Sequence, residues 1–97
     1  MASSVSPKHV YSRCHVSGRV QGVAYRASAA ARARELAISG YARNLPDGRV
    51  EILACGEAEA VRVFIAWLWI GPAAAKVADV AVETLQLAEP PREFMIA

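Results

Sequence analysis

The chain has 97 residues, 55% hydrophobic and 21% charged, which suits one domain with a single core that needs neither metal nor disulfide staples. Its net charge of +2, from 11 Lys and Arg against 9 Asp and Glu, is too small an excess to make nucleic acid the main partner. The longest apolar run, Val63 to Ile70, is far short of the roughly 20 residues that cross a bilayer, and no basic start followed by a long apolar stretch indicates a secretory signal.

Residues 1–8 read as a flexible tail and 9–97 as one domain. From Val10 to Val16, Val10, Ser12, Cys14 and Val16 alternate with Tyr11, Arg13 and His15, the period of a strand with one buried face, and Gly18 is expected to end it. Ala27 to Ile38 is alanine-rich without Gly or Pro. It places Ala29, Ala30, Ala33, Leu36 and Ala37 on one helical face, with Gly40 as the expected stop. Tyr41–Leu45 and Arg49–Ala54 flank Pro46-Asp47-Gly48 and read as a hairpin.

Glu57 to Ile70 is a second helix, with Glu57 and Glu59 in its first turn, Val61, Phe64, Ile65 and Leu68 on the core face, and Gly71-Pro72 as its stop. Val63, Trp67 and Ile70 form a second stripe that one sheet cannot cover, so either a monomer or weak self-association through Trp67 is expected. Val77 to Leu87 is the last long strand, and Phe94–Ile96 adds a short one after Pro90-Pro91. The order β-α-β-β-α-β is that of an α+β ferredoxin-like sandwich: an antiparallel sheet in the order 4-1-3-2 with two helices on one face. In that topology strands one and two run the same way on either side of strand three. The loop after strand one and the end of strand two then emerge at one edge, about 10 Å apart.

That loop holds the most informative residues. Gly18 and Gly22 bend it so that backbone N–H groups converge on an anion, Arg26 adds a permanently charged fork, and the first helix begins there with the positive end of its dipole. The spacing is neither G-x-x-x-x-G-K-[ST] nor G-x-G-x-x-G, so a nucleotide is not the default ligand. Arg26 is the expected charge stabiliser of a transferring phosphoryl group. Asn44, at the end of strand two, is the expected orienter of an attacking water, since its amide both accepts and donates.

Gly18-Arg19-Val20-Gln21-Gly22-Val23 followed by Tyr25-Arg26 resembles the acylphosphatase signature G-x-V-Q-G-V-x-[FY]-R at every fixed position. Gly40-Tyr41-Ala42-Arg43-Asn44, Asp47-Gly48-Arg49-Val50-Glu51 and Gly71-Pro72 resemble later family motifs in the right order. The departures are Ala42 for a usual valine and the Met95-Ile96-Ala97 ending. The resemblance implies hydrolysis of acyl phosphates to a carboxylate and inorganic phosphate, without cofactor or metal. It implies a phosphate-binding loop of Gly18, Arg19, Val20, Gln21, Gly22, Val23, Ala24, Tyr25 and Arg26, and a water held by Asn44.

Other residues read more plainly. Arg19 and Arg43 are expected to be solvated, and His9 and His15 to be strand-surface residues, with no carboxylate or thiol at ligand spacing. Trp67 and Trp69 are expected to pack. Cys14 and Cys55 lack C-x-x-C spacing and read as buried free thiols, which suits a reducing, cytoplasmic location. The rival to an enzyme is a non-catalytic ferredoxin-like module that binds an anion or RNA. Arg49 to Ala54 lacks the alternate aromatics of an RNA-binding sheet.

Overall fold

The structure is a computed structural model that describes residues 8–97, so the expected tail lies, apart from Lys8, outside the described residues. The elements are β1 (His9–Arg19), α1 (Tyr25–Glu35), β2 (Ser39–Asn44), β3 (Val50–Glu57), α2 (Ala58–Leu68), β4 (Lys76–Leu85) and β5 (Phe94–Ile96). The sheet order is β4-β1-β3-β2-β5. Its first four strands are antiparallel neighbours in the expected order, and β5 extends the sheet by pairing parallel to β2. The two helices cover one face, α1 over β2 and β5 and α2 over β3 and β1.

Alternation along the strands decides which side chains meet the helices. Cys14, Val16, Ala42, Val50, Ile52, Ala54, Val80 and Phe94 turn inward and are buried. From α1 come Ala29, Ala30 and Ala33, small residues that let the helix lie close to the sheet, and from α2 come Val61, Phe64 and Leu68. Phe64 meets Phe94 edge-on at 5.9 Å. On the opposite, open face β3 presents Glu51, Leu53 and Cys55. At the outer edge, β4 is paired on one flank, and its Lys76, Asp79 and Glu83 are exposed.

Several boundaries differ from the sequence expectation for identifiable reasons. Gly18 does not end the first strand. The register against β4 shifts between Ser17 and Gly18, and at φ 119° Gly18 lies so close to the Lys76 carbonyl that any Cβ would collide with it. Gly40 is not the stop of α1 but a strand residue against the Leu53 carbonyl, again too close for a Cβ. The stop is Ala37, exposed and left-handed at φ 57°. The Ile38 N–H reaches the Ala33 carbonyl at 2.8 Å and the Ala37 N–H reaches that of Arg34 at 3.2 Å, the paired bonds of a Schellman turn.

Trp67 does not form an exposed stripe. It is half-buried, stacked on Phe64 at 6.3 Å and tilted against Tyr25 at 5.9 Å, because the first residue of α1 packs on that flank of α2. Trp69 and Ile70, in the turn that ends α2, are exposed instead at 48% and 70%. Trp69 therefore does not pack as expected.

An alanine in the left-handed well is disfavoured by roughly 1–2 kcal/mol, part of which glycine forfeits in unfolded-state entropy. Ala37→Gly is therefore expected to stabilise the protein by about 0.5–1 kcal/mol, read from the urea midpoint at unchanged slope. An unchanged or lower midpoint contradicts this account of the turn.

Candidate anion-binding active site

Between the end of β1 and the start of α1 the chain runs through Val20, Gln21, Gly22, Val23 and Ala24. Among the described residues, the amides of these five donate to no main-chain acceptor. Gly22 and Ala24 have φ of 76° and 61°, and alternation of left-handed residues with ordinary ones is the geometry in which successive N–H groups point into one concavity. Ala24 is also the N-cap of α1, so the unbonded first-turn amides of the helix open at the same place.

Two anchors fix the loop on the core side. Val20 is buried, and Tyr25 is buried with its hydroxyl donating to the Leu68 carbonyl at 2.6 Å, where it satisfies an end carbonyl of α2. Burial pushes the Tyr25 phenol well above its usual range, so it stays a donor.

A cleft of about 160 Å³ opens over this loop, lined by Val20, Gly22, Ala24, Tyr25, Arg26, Ala27, Asn44 and Ile96. Arg26 and Asn44 are brought together in it, one from the first turn of α1 and the other from the last residue of β2. Arg26 donates from one guanidinium nitrogen to the Ala97 main-chain oxygen at 2.8 Å, which holds the fork at the cleft wall with most of its five N–H groups to spare. The cleft suits a small anion. Sites that enclose drug-sized ligands run from about 300 Å³ upward.

Not every residue of the expected phosphate loop lies at the cleft. Gly18 and Arg19 belong to β1, paired with Val77 and Lys76 of β4, and Val23 packs on the core rim. The Gln21 side chain turns away to the β2–β3 hairpin, donating at 2.9 Å to both the Leu45 and the Arg49 carbonyl, so Gln21 offers an anion its backbone alone. Ala27 and Ile96 also line the cleft without having been singled out in the sequence. The signal for Ile96 was alternation within a three-residue strand, and nothing in the sequence marked Ala97 as a partner of Arg26.

A family model described as Acylphosphatase matches residues 12–96. The chain belongs to that family. It is 54% identical over 77 residues to an acylphosphatase of Nitrosococcus oceani, covering 79% of this chain and 86% of that one. It is 58% identical over 71 residues to one from Halorhodospira halophila, covering 73% and 77%. Among solved structures, an acylphosphatase from Coxiella burnetii superposes with a TM-score of 0.87 at 36% identity, covering 92% of this chain and 93% of that chain.

In this acylphosphatase-family chain a second polar cluster lies on the open sheet face. Glu51, 6% exposed, stands directly opposite His15 on β1 and Arg43 on β2. It accepts from His15 Nε2 at 2.9 Å, from the Tyr41 hydroxyl at 2.6 Å, and pairs with Arg43 at 2.9 Å. His15 must be the donor, since a carboxylate only accepts. Arg43 is therefore engaged at its tip and not simply solvated, and it also lies over the Tyr41 ring at 5.5 Å. Burial pushes the Glu51 carboxyl up, but the bonds from Tyr41 and His15 and the charge of Arg43 outweigh it and hold the carboxyl below its ordinary value.

Burial pushes the Cys14 thiol, on the helix side, up to about 12, and the buried Cys55 thiol on the other face is raised by the same cause. Both are poor nucleophiles.

The pH consequence follows from the depressed carboxyl of Glu51. Its contribution is fully present above the unfolded value near 4.5 and is lost as pH falls through the lower folded value. Glu51→Gln is expected to cost about 1–3 kcal/mol at neutral pH and to flatten the decline of unfolding free energy below pH 4.5. Denaturant titrations of both proteins across that window check it, and identical pH profiles contradict it.

Proposed function

We propose that this protein hydrolyses the carboxyl–phosphate bond of acyl phosphates, releasing a carboxylate and inorganic phosphate. One observation carries the reading: Arg26 and Asn44 line a single small cleft beside a loop whose amides donate to no main-chain acceptor among the described residues. The amides from Val20 to Ala24 and the Arg26 guanidinium hold the phosphoryl oxygens, and the N-terminal end of α1 adds favourable potential. Asn44 accepts a hydrogen bond from a water and aims it at phosphorus, opposite the leaving oxygen. The water oxygen bonds phosphorus as the bond to the acyl oxygen breaks, the carboxylate takes the electron pair, and the water's protons pass to phosphate and solvent.

A carboxylate leaves readily, so Asn44 needs to orient and not to deprotonate. Fixed donors supply the charge stabilisation for which other phosphoryl-transfer sites recruit a metal ion, and we assign none here. The apolar Ala27 and Ile96 complete the wall and receive the acyl group without selecting it by charge. One chain supplies all of these residues, so the site needs no side chain from a second copy. The buried free thiols suit a reducing compartment, which we take to be the cytoplasm. A binding module for RNA is the weaker reading, because on the open face Arg13 and Arg43 are already paired with Glu83 and Glu51.

The direct experiment follows carboxylate and phosphate release from benzoyl phosphate in the presence of a chelator. Stoichiometric release is expected, and release abolished by the chelator or absent altogether contradicts the proposal. Arg26→Ala is expected to lower kcat/KM by about 100-fold or more, and Arg26→Lys to recover little of it, since an ammonium lacks the planar fork. Asn44→Ala is expected to lower kcat by about 100-fold while inorganic phosphate still competes with modest change. A collapse of phosphate affinity at normal kcat would make Asn44 a binding residue instead.

A further inference from the structure

We infer that Gln21 is the positioning residue for Asn44; its kinetic expression rests on the hydrolase reading above, its geometry does not. Gln21 lies in the loop between Val20 and Gly22, both of which line the cleft. Its side-chain amide has two N–H donors, and Nε2 directs them at the Leu45 and Arg49 carbonyls, each at 2.9 Å. Leu45 directly follows Asn44. Leu45 and Arg49 close the hairpin through the Leu45 N–H to Arg49 carbonyl bond at 2.8 Å, and the Gly48 N–H also reaches the Leu45 carbonyl at 3.1 Å. One half-buried side chain thus clasps both ends of the turn immediately beyond Asn44 and ties it to the loop that offers the amides.

The strand pairing of Asn44 with Val50 fixes the residue from within the sheet. The Gln21 clasp fixes the turn beyond it, whose Pro46, Asp47 and Gly48 are exposed. The distance from the anion loop to the Asn44 amide is then set by a covalent span plus two hydrogen bonds, not by contact with substrate. A misplacement of about 1 Å suffices to cost a hundredfold in rate, so a partial loosening is felt in the chemical step before it is felt in anion binding.

The experiment uses Gln21→Met, which keeps the length of the side chain and removes both donors, alone and combined with Asn44→Ala, with kcat for benzoyl phosphate and the inhibition constant of inorganic phosphate as readouts. Gln21→Met is expected to lower kcat about tenfold with the phosphate constant within about twofold, and to lower it no further once Asn44 is alanine. Gln21→Ala, which removes the same donors without filling the space, must give the same pattern.

An unchanged kcat, a parallel loss of phosphate affinity, or a full tenfold loss on top of Asn44→Ala overturns the assignment. Relaxation of the Asn44 side-chain ¹⁵N amide tests it without turnover. Its order parameter is expected to fall in Gln21→Met, and an unchanged value overturns the inference. Absence of hydrolysis in the wild type, by contrast, removes the hydrolase reading and leaves the relaxation result to decide the role of Gln21.

Discussion

Five consecutive amides, from Val20 to Ala24, that find no main-chain acceptor among the described residues are the constraint on which this molecule is organised. Donors left unpaired are normally a liability, tolerated where water or a ligand takes up their bonds. Aiming them at one point requires left-handed residues, and the loop accepts one at Ala24, where the side chain makes that conformation costly. Such a loop would relax if it were free. It is held because Val20 and Tyr25 are buried on either side of it, and because the Tyr25 hydroxyl is bound to the end of α2.

The topology then brings the second functional group within reach. Since β1 and β2 each run antiparallel to β3, they are parallel to one another, and the end of β2 delivers Asn44 to the edge where the loop leaves β1. The short β5 closes the other side, carrying Ile96 to the cleft and Ala97 to Arg26. Holding the guanidinium against a main-chain oxygen orders a long flexible side chain during folding, so less side-chain entropy remains to be lost when an anion arrives. Binding groups from α1, β2 and β5 are thereby fixed on regular elements, the arrangement that keeps a site within the tolerance catalysis demands.

Much of this was legible in the sequence because the signals were local and periodic. The alternation of Ser12, Cys14 and Val16, the alanine face of α1 and the Pro46-Asp47-Gly48 turn each reported a single element. The order of elements then limited the sheet to one arrangement for its four long strands. Arg26 and Asn44 were legible as a pair for the same reason. What failed to show were decisions taken between elements. Gly40 looked like a helix stop, yet its missing side chain answers to the Leu53 carbonyl on a neighbouring strand, while Ala37 makes the turn. Gln21 sits inside an anion-binding signature, and nothing in that signature tells that its side chain reaches the hairpin carbonyls. Trp67 seemed stranded on the wrong face of α2 because periodicity along one helix carries no information about Tyr25 packing on its flank.

The outer strand of the sheet has a consequence for behaviour in concentrated solution. Among the described residues β4 leaves a ten-residue flank without a partner, and a flank of that kind is a template on which a strand from another molecule could build. Here an incoming strand would meet exposed Lys76 and Asp79, and would have to follow the register irregularity opposite Gly18. The charges and the irregularity both work against strand addition on this side, and on the other side β5 offers three residues. What opposes edge-to-edge pairing thus sits in the rim of the sheet, at a distance from the chemistry and independent of it.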